Sequence, residues 1–196
     1  MTPENSFYKK RLFRTASAPE PPLVSAEAFE KLYRKSCLPV FRYLYAYTGG
    51  SRELAEDLTA EAFMRAWQKR TTYSGRPDGA VAWVIRIARN LAIDTHRRAT
   101  AGIDNRADPL EEELDAPAAL PNPEMQVMLS EQQHIVLSLL GELTEEQREI
   151  LILRYFLDWK IKQIAHYMDF PDNTVSVYIH RALEKLRRIW PAERSL

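Results

Sequence analysis

The chain has 196 residues, room for one ordinary domain or two small ones, and its 45% apolar and 28% charged residues argue against a wholly disordered protein. Six glycines against twelve prolines favour helices over glycine-turned sheets, and a lone Cys37 excludes an internal disulfide or a multi-thiolate metal site. No run approaches the length of a membrane span, and no long apolar segment follows Lys9, Lys10 and Arg11, so the expected home is the reducing cytoplasm, without membrane insertion.

A formal net charge of zero hides a pattern. Between Arg65 and Arg106 nine bases face three acids, a local balance of +6; from Ala107 to Glu124 six acids meet no base; from Thr174 to Arg194 five bases face two acids. Two basic blocks thus flank an acidic one.

Residues 1–24 carry Pro3, Pro19, Pro21 and Pro22 and read as a flexible N-terminal extension. Ser25 is placed to cap a helix whose Phe29, Leu32, Tyr33, Cys37, Val40, Leu44 and Tyr47 recur at helical spacing. Pro39 should kink or split it. Gly49-Gly50 ends it and Ser51 can cap the next helix, from about Arg52 to Lys69, with Leu54, Leu58, Ala62 and Ala66 on one face. A loop from Arg70 to Gly79 contains Tyr73. A third helix over about Ala80–Ala99 should bury Val84, Ile87, Ala88 and Leu91.

Residues 101–123 hold Pro109, Pro117, Pro121, Pro123 and Glu111-Glu112-Glu113, an acidic, self-repelling linker. Beyond it, Met125–Leu140 is apolar at helical spacing. Thr144-Glu145-Glu146-Gln147 fits a capping box opening a helix to about Leu157. A short helix over Lys160–Met168 and a turn at Asp169-Phe170-Pro171 lead into a last helix, from about Asp172 to Trp190. The chain therefore divides into 1–24, a helical domain at 25–100, the linker at 101–123, and a second helical domain at 124–196.

Three constellations bear on function. In the last two helices, Ile161, Ile164, Ala165 and Met168 should pack against Val175, Ile179 and Leu183, and the small Ala165 permits a close crossing. That is the layout of a helix-turn-helix, whose second helix reads the major groove; the bland alternative is a plain helical hairpin with a basic end. On the third helix Arg86, Arg89 or Asn90, Ile93 and Arg97 lie opposite the core stripe, where a basic row can track phosphates. Trp83 and Tyr73 offer flat faces for unstacked bases, although a tryptophan at helical spacing commonly belongs to a core. Finally, Phe63 and Trp67 form an i, i+4 pair beside Glu61 and Arg65. The charged pair fits a mundane helix-stabilising ion pair, an outward Phe or Trp rimmed by charges fits a protein-binding hot spot, and both readings can hold at once.

Residues Asp57–Gln68 followed by Trp83-Val84-Ile85-Arg86-Ile87-Ala88-Arg89-Asn90-Leu91-Ala92-Ile93-Asp94 resemble region 2 of bacterial sigma factors. Glu146–Tyr155, Gln163-Ile164-Ala165 and Thr174-Val175 resemble their region 4, and the two-region layout is similar to the extracytoplasmic-function (ECF) class. The resemblance covers residues from about 26 to 190. It implies an all-α protein of two small helical domains joined by a flexible acidic linker, a non-enzymatic transcription factor with no cofactor.

By the same resemblance Asp57, Leu58, Glu61, Phe63, Arg65, Trp67 and Gln68 would belong to the surface that grips the clamp helices of core RNA polymerase. Tyr73, Trp83, Arg86, Arg89, Asn90, Asp94, Arg97 and Arg98 would bind and open the −10 element by holding an unstacked base. Thr174, Ser176, Val177, Tyr178, His180 and Arg181 would face the −35 element, with Lys185, Arg187 and Arg188 nearer phosphates. The implied partners are core polymerase through clamp helices and flap, promoter DNA, and an anti-sigma factor; the acidic linker would run near the polymerase active-site channel.

Departures also stand out. The family usually carries a base where this chain has Ser176, serine where it has Val177, and arginine where it has Tyr178, so either an unusual −35 preference or a reliance on region 2 and other proteins is expected. Glycine is common in the family where Asp158, Asp169 and Asn173 stand here. The competing reading is a stand-alone helix-turn-helix regulator, under which Asp57–Gln68 and the linker have no task. His96, His134, His166 and His180 lie scattered without a nucleophile–base arrangement, which weighs against an enzyme.

Overall fold

The computed structural model describes residues 23–76, 79–100 and 131–190. The acidic linker, the start of the helix expected from Met125 and nearly all of the N-terminal extension lie outside the described residues. The exception in the extension is Leu23 and Val24: Leu23 is buried in the first bundle, and the Val24 carbonyl accepts from Arg70 Nε at 3.4 Å. Leu23, expected within the extension, is thus part of the first bundle's core.

Three helices form the first bundle: α1 (Ala26–Tyr47), α2 (Arg52–Gln68) and α3 (Ala80–Thr100). Ser25 caps α1, its side chain accepting the Ala28 amide at 3.1 Å. Pro39 does not split α1, which runs through it for 22 residues. Packing of Val40, Tyr43 and Leu44, all fully buried just past the proline, holds the helix together despite the missing donor. Gly49 and Gly50 end α1 at φ +69° and +90°, a conformation that side chains rarely adopt. Ser51 starts α2 without a side-chain capping bond.

The α2 stripe is broader than its period suggests. Ala55, Thr59 and Phe63 join Leu58, Ala62 and Ala66 inside, while Leu54 is only partly buried. Ala55, Ala62 and Ala66 have no exposed surface, and their small side chains allow close helix contact. From α3 come Val84, Ala88 and Leu91 as expected, with Ile85 and Ala92 in addition, whereas Ile87 is half-buried.

The second bundle holds α4 (Glu131–Leu140), α5 (Glu145–Leu151), α6 (Ile161–Met168) and α7 (Asp172–Ile189). Both halves of the α5 capping box form: Thr144 Oγ1 accepts the Gln147 amide and Gln147 Oε1 accepts the Thr144 amide, each at 3.3 Å. After Leu151 the chain widens into a π-helical turn, Ile152–Phe156, with Leu157 N donating to Ile152 O at 3.3 Å. Arg148 satisfies the free carbonyls of Leu140 and Gly141 at 2.9 Å each, closing the C-terminus of α4. Ile150, Ile152, Leu153, Ile164, Val175 and Ala182 make the core.

The two bundles pack directly. The inner side of α1 meets the turn after α5, Leu137 of α4 rests on Gly50, and the Arg148 guanidinium lies 5.7 Å from the Tyr47 ring centre.

The two caps differ in a testable way. Thr144→Ala should lower stability to urea by about 1 kcal/mol, whereas Ser51→Ala, which removes no capping bond, should change it by no more than a few tenths. Equal losses in the two variants would contradict this placement.

Candidate functional site

On α2, Asp57 and Gln68 are exposed, and Glu61 and Arg65 form a half-exposed i, i+4 ion pair. Leu58 and Phe63 point inward: Phe63 is 5% exposed, edge-on to Tyr33 at 4.8 Å and to Phe29 at 6.5 Å between ring centres. Trp67 is half-buried against Phe29 at 5.1 Å, with the Arg70 guanidinium 3.7 Å from its ring centre. The mundane Glu61–Arg65 ion pair forms, and Phe63 with part of Trp67 is turned into the bundle. Met64, 49% exposed, is the large apolar side chain that α2 presents outward. Sequence reasoning passed over it; its position opposite Ala62 and Ala66 is the signal that finds it.

The loop before α3 is folded around Tyr73. Its ring is 8% exposed, sits 4.9 Å from Trp83 at 38°, and its hydroxyl donates to the Arg76 carbonyl at 2.6 Å. Gly75 lies so close that an added Cβ would stand 2.5 Å from the Tyr73 hydroxyl. Tyr73 is thus a packed ring supporting Trp83, and the half-buried Trp83 is the aromatic nearer the surface.

Along α3, Asn90, Asp94, Arg97 and Arg98 are exposed. Arg86, also exposed, and the half-buried Arg89 meet the second bundle. Arg86 Nη2 donates to the Tyr167 carbonyl at 2.9 Å, with its guanidinium 5.2 Å from the Tyr167 ring centre. Arg89 reaches two carboxylates of α5, Nε to Glu149 Oε2 at 2.5 Å and Nη2 to Glu145 Oε1 at 2.6 Å. Glu149 is fully buried, and its other oxygen accepts from the Tyr43 hydroxyl of α1 at 3.2 Å. Burial holds the Glu149 carboxyl above its ordinary pKa, although Arg89 and Tyr43 both favour the anion. Burial, and then the Glu149 charge, push the Tyr43 phenol well up.

The C-terminal pair α6–α7 has the expected helix-turn-helix form. Ala165 is 4% exposed at the crossing, and its carbonyl accepts the Phe170 amide at 2.9 Å. The turn passes through Asp169 at φ 57°, and Asp158, before α6, has φ 54°. Asn173, by contrast, sits in the first turn of α7 and donates nothing to a left-handed turn; its Oδ1 accepts the Thr174 amide at 2.9 Å.

Outward on α7 stand Ser176, Val177, His180, Arg181, Lys185, Arg187 and Arg188. Val177 is 45% exposed. Ser176 Oγ donates to the Asp172 carbonyl at 3.1 Å, which occupies its hydrogen, and Tyr178 leans on Phe170 at 5.8 Å. Thr174 is half-buried. His180 Nε2 lies 3.5 Å from Glu184, and Lys185 donates to the Glu142 carbonyl. Among the described residues no cluster of His, Cys, Asp and Glu is arranged to hold a metal ion, and no helix is long and apolar enough to cross a membrane.

Known proteins agree with this architecture. Residues 32–101 match the model of sigma-70 region 2 and residues 133–186 that of sigma-70 region 4. The ECF RNA polymerase sigma factor BldN of Streptomyces coelicolor is 32% identical over 85% of this chain, which spans 61% of that protein. The ECF RNA polymerase sigma factor ShbA of Streptomyces griseus is 30% identical over 72% of this chain and 74% of its own. Among solved structures, the sigma factor RpoE of Bartonella quintana, in complex with the anti-sigma factor NepR, superposes with a TM-score of 0.59. That match covers 86% of this chain and 99% of RpoE at 20% identity, a likeness of fold alone. Two bundles that match regions 2 and 4 in order, on a chain this similar to ShbA, establish that it belongs to the ECF RNA polymerase sigma factors.

Proposed function

We propose that this chain binds core RNA polymerase through α2, opens the −10 element with α3 and its preceding loop, and reads the −35 element with α7. The supporting observation is the order of the two matched regions, 32–101 and 133–186, each ending in a helix whose outward side is basic. A lone helix-turn-helix regulator leaves the whole first bundle without a task.

On α2 the polymerase contact draws on Asp57, Gln68, Glu61 and Arg65 at the surface, with Met64 as an added apolar anchor; Leu58, Phe63 and Trp67 support the helix from behind. At the −10 element the chemistry is non-covalent. Trp83 stacks an unstacked base while Asn90, Asp94, Arg97 and Arg98 meet its neighbours and the backbone, so that captured stacking energy offsets duplex opening. Tyr73 supports Trp83 from below. At the −35 element Arg181 and His180 lie toward base edges and Lys185, Arg187 and Arg188 toward phosphates. An anti-sigma factor is a further partner consistent with RpoE, which was solved with one, and the cytoplasm is the compartment in which polymerase is met.

Reconstituted holoenzyme on a fork-junction promoter template tests the whole reading. Specific initiation is expected; failure to associate with core polymerase would overturn it. Within that assay, Arg97→Ala with Arg98→Ala should reduce the log–log salt dependence of single-stranded −10 binding by about 1.4, two phosphates at about 0.7 each. An unchanged slope would remove both arginines from the DNA contact.

Binding selection with holoenzyme tests the −35 reading. With Ser176 bonded to its own backbone, Val177 apolar and Tyr178 held on Phe170, the first turns of α7 lack the bases usual in the family. The expected outcome is a −35 sequence that departs from the ordinary ECF consensus; recovery of that consensus would refute it.

A further inference from the structure

Region 4 of this chain places an acidic helix on the basic helix of region 2. The contact centres on Glu149, which has no exposed surface although it lies on α5, a helix with Glu145 and Glu146 in its first turn. Two of its bonding partners belong to region 2: Arg89 on α3 and Tyr43 on α1. The guanidinium of Arg89 forks across two carboxylates, one nitrogen to Glu149 and another to Glu145. An arginine bridging two adjacent phosphates presents the same planar fork to the same kind of anionic oxygens. Arg86, one turn earlier, is turned toward the Tyr167 carbonyl by the same approach.

We propose that Glu149, with Glu145 beside it, is a built-in substitute for promoter phosphate: in the closed chain it occupies Arg89 and holds region 4 over the −10 side of region 2. The inference rests on α3 being the −10 surface and extends that reading to its regulation. Electrostatics suit the contact to switching. A buried carboxylate–guanidinium pair gains little over its desolvation cost, so a competitor with a modest advantage can open it. Removing one partner, however, leaves a buried charge and favours separation. The −35 side of α7 does not share this block, since Arg181, Arg187 and Arg188 stay exposed. Closure therefore withdraws Arg89 from the −10 side and leaves the −35 side available. Core polymerase, by drawing regions 2 and 4 apart, would uncover Arg89 at the time DNA arrives.

The test uses the full chain without polymerase. Exposed Met64 and Lys162 are replaced by cysteine in a Cys37→Ser background and labelled for a spin–spin distance between the two regions. Glu149→Gln with Glu145→Gln should shift the distribution from short to long distances. The same substitutions should tighten binding of a labelled single-stranded −10 oligonucleotide about tenfold, the gain expected if the closed form is about nine-tenths populated. Tyr43→Phe with Glu145→Gln, which keeps the buried carboxylate, should give an intermediate shift and decides the matter if Glu149→Gln unfolds region 4. An unchanged distance distribution in both pairs of variants overturns the proposal, as does opening without tighter DNA binding. Initiation by wild-type holoenzyme is scored separately. Its absence counts against the sigma-factor roles assigned above, while the distance shift alone reports on the latch.

Discussion

The contact on which this structure turns is the pairing of Arg89 with Glu149. It ties α3 to α5 across 60 residues of sequence, buries a carboxylate completely and recruits a hydroxyl from α1 to the carboxylate's other oxygen. An unpaired charge at that depth would be far more costly than the pair itself. The two bundles can therefore lie together in this arrangement only while the guanidinium is in place. The neighbouring contacts, Arg86 on Tyr167 and Arg148 on Tyr47, are aromatic and cationic in kind and add packing without further buried anions.

This arrangement gives the neutral total a physical meaning. A strongly basic DNA-binding protein repels itself and stays extended. Here region 2 carries the excess of bases, and α5 opens with Glu145 and Glu146, so one part of the chain supplies counter-charge to another. Neutrality in this chain is the sum of separated charges that meet by folding.

Local features were legible in the sequence, and contacts between distant segments were not. The capping box at Thr144, the stop at Gly49-Gly50 and the α6–α7 motif depend on residues within a few positions of each other, so spacing suffices to find them. Helical period placed Val84, Ala88 and Leu91 correctly but missed Ile85, whose burial comes from a broader contact than a single stripe predicts. Arg86 and Arg89 lie at the right spacing for a DNA-facing row, and spacing cannot reveal that α5 faces the same side. Glu149 reads in sequence as one more surface acid of a capped helix; only its tertiary partners mark it as buried. Phe63 illustrates the converse, since aromatic residues rimmed by charge suit either a hot spot or a core edge, and Phe29 with Tyr33 settles it for the core.

The turns around α6 show how a helix-turn-helix tolerates the loss of glycine. Asp158 and Asp169 both adopt left-handed backbone, at a cost on the order of 1 kcal/mol for a residue with a side chain. What holds them there is visible in the neighbouring bonds: Trp159 N to Leu153 O at 3.0 Å before α6, and Phe170 N to Ala165 O at 2.9 Å after it. Both bonds anchor the turn to a helix already fixed by Leu153 and Ala165 in the core. Glycine would reach the same angles without strain but would leave the unfolded chain freer, so the two choices differ little in net stability. They differ in charge. An acid at Asp169, with Asp172 opening α7, stands at the edge of the helix proposed to face DNA and would repel phosphate there. On the proposed −35 reading, attraction to phosphate then comes from Lys185, Arg187 and Arg188 farther along α7. Under that same reading, α7 is held by its C-terminal half and discriminates with its N-terminal half, where Ser176 and Val177 carry no charge to offer a phosphate.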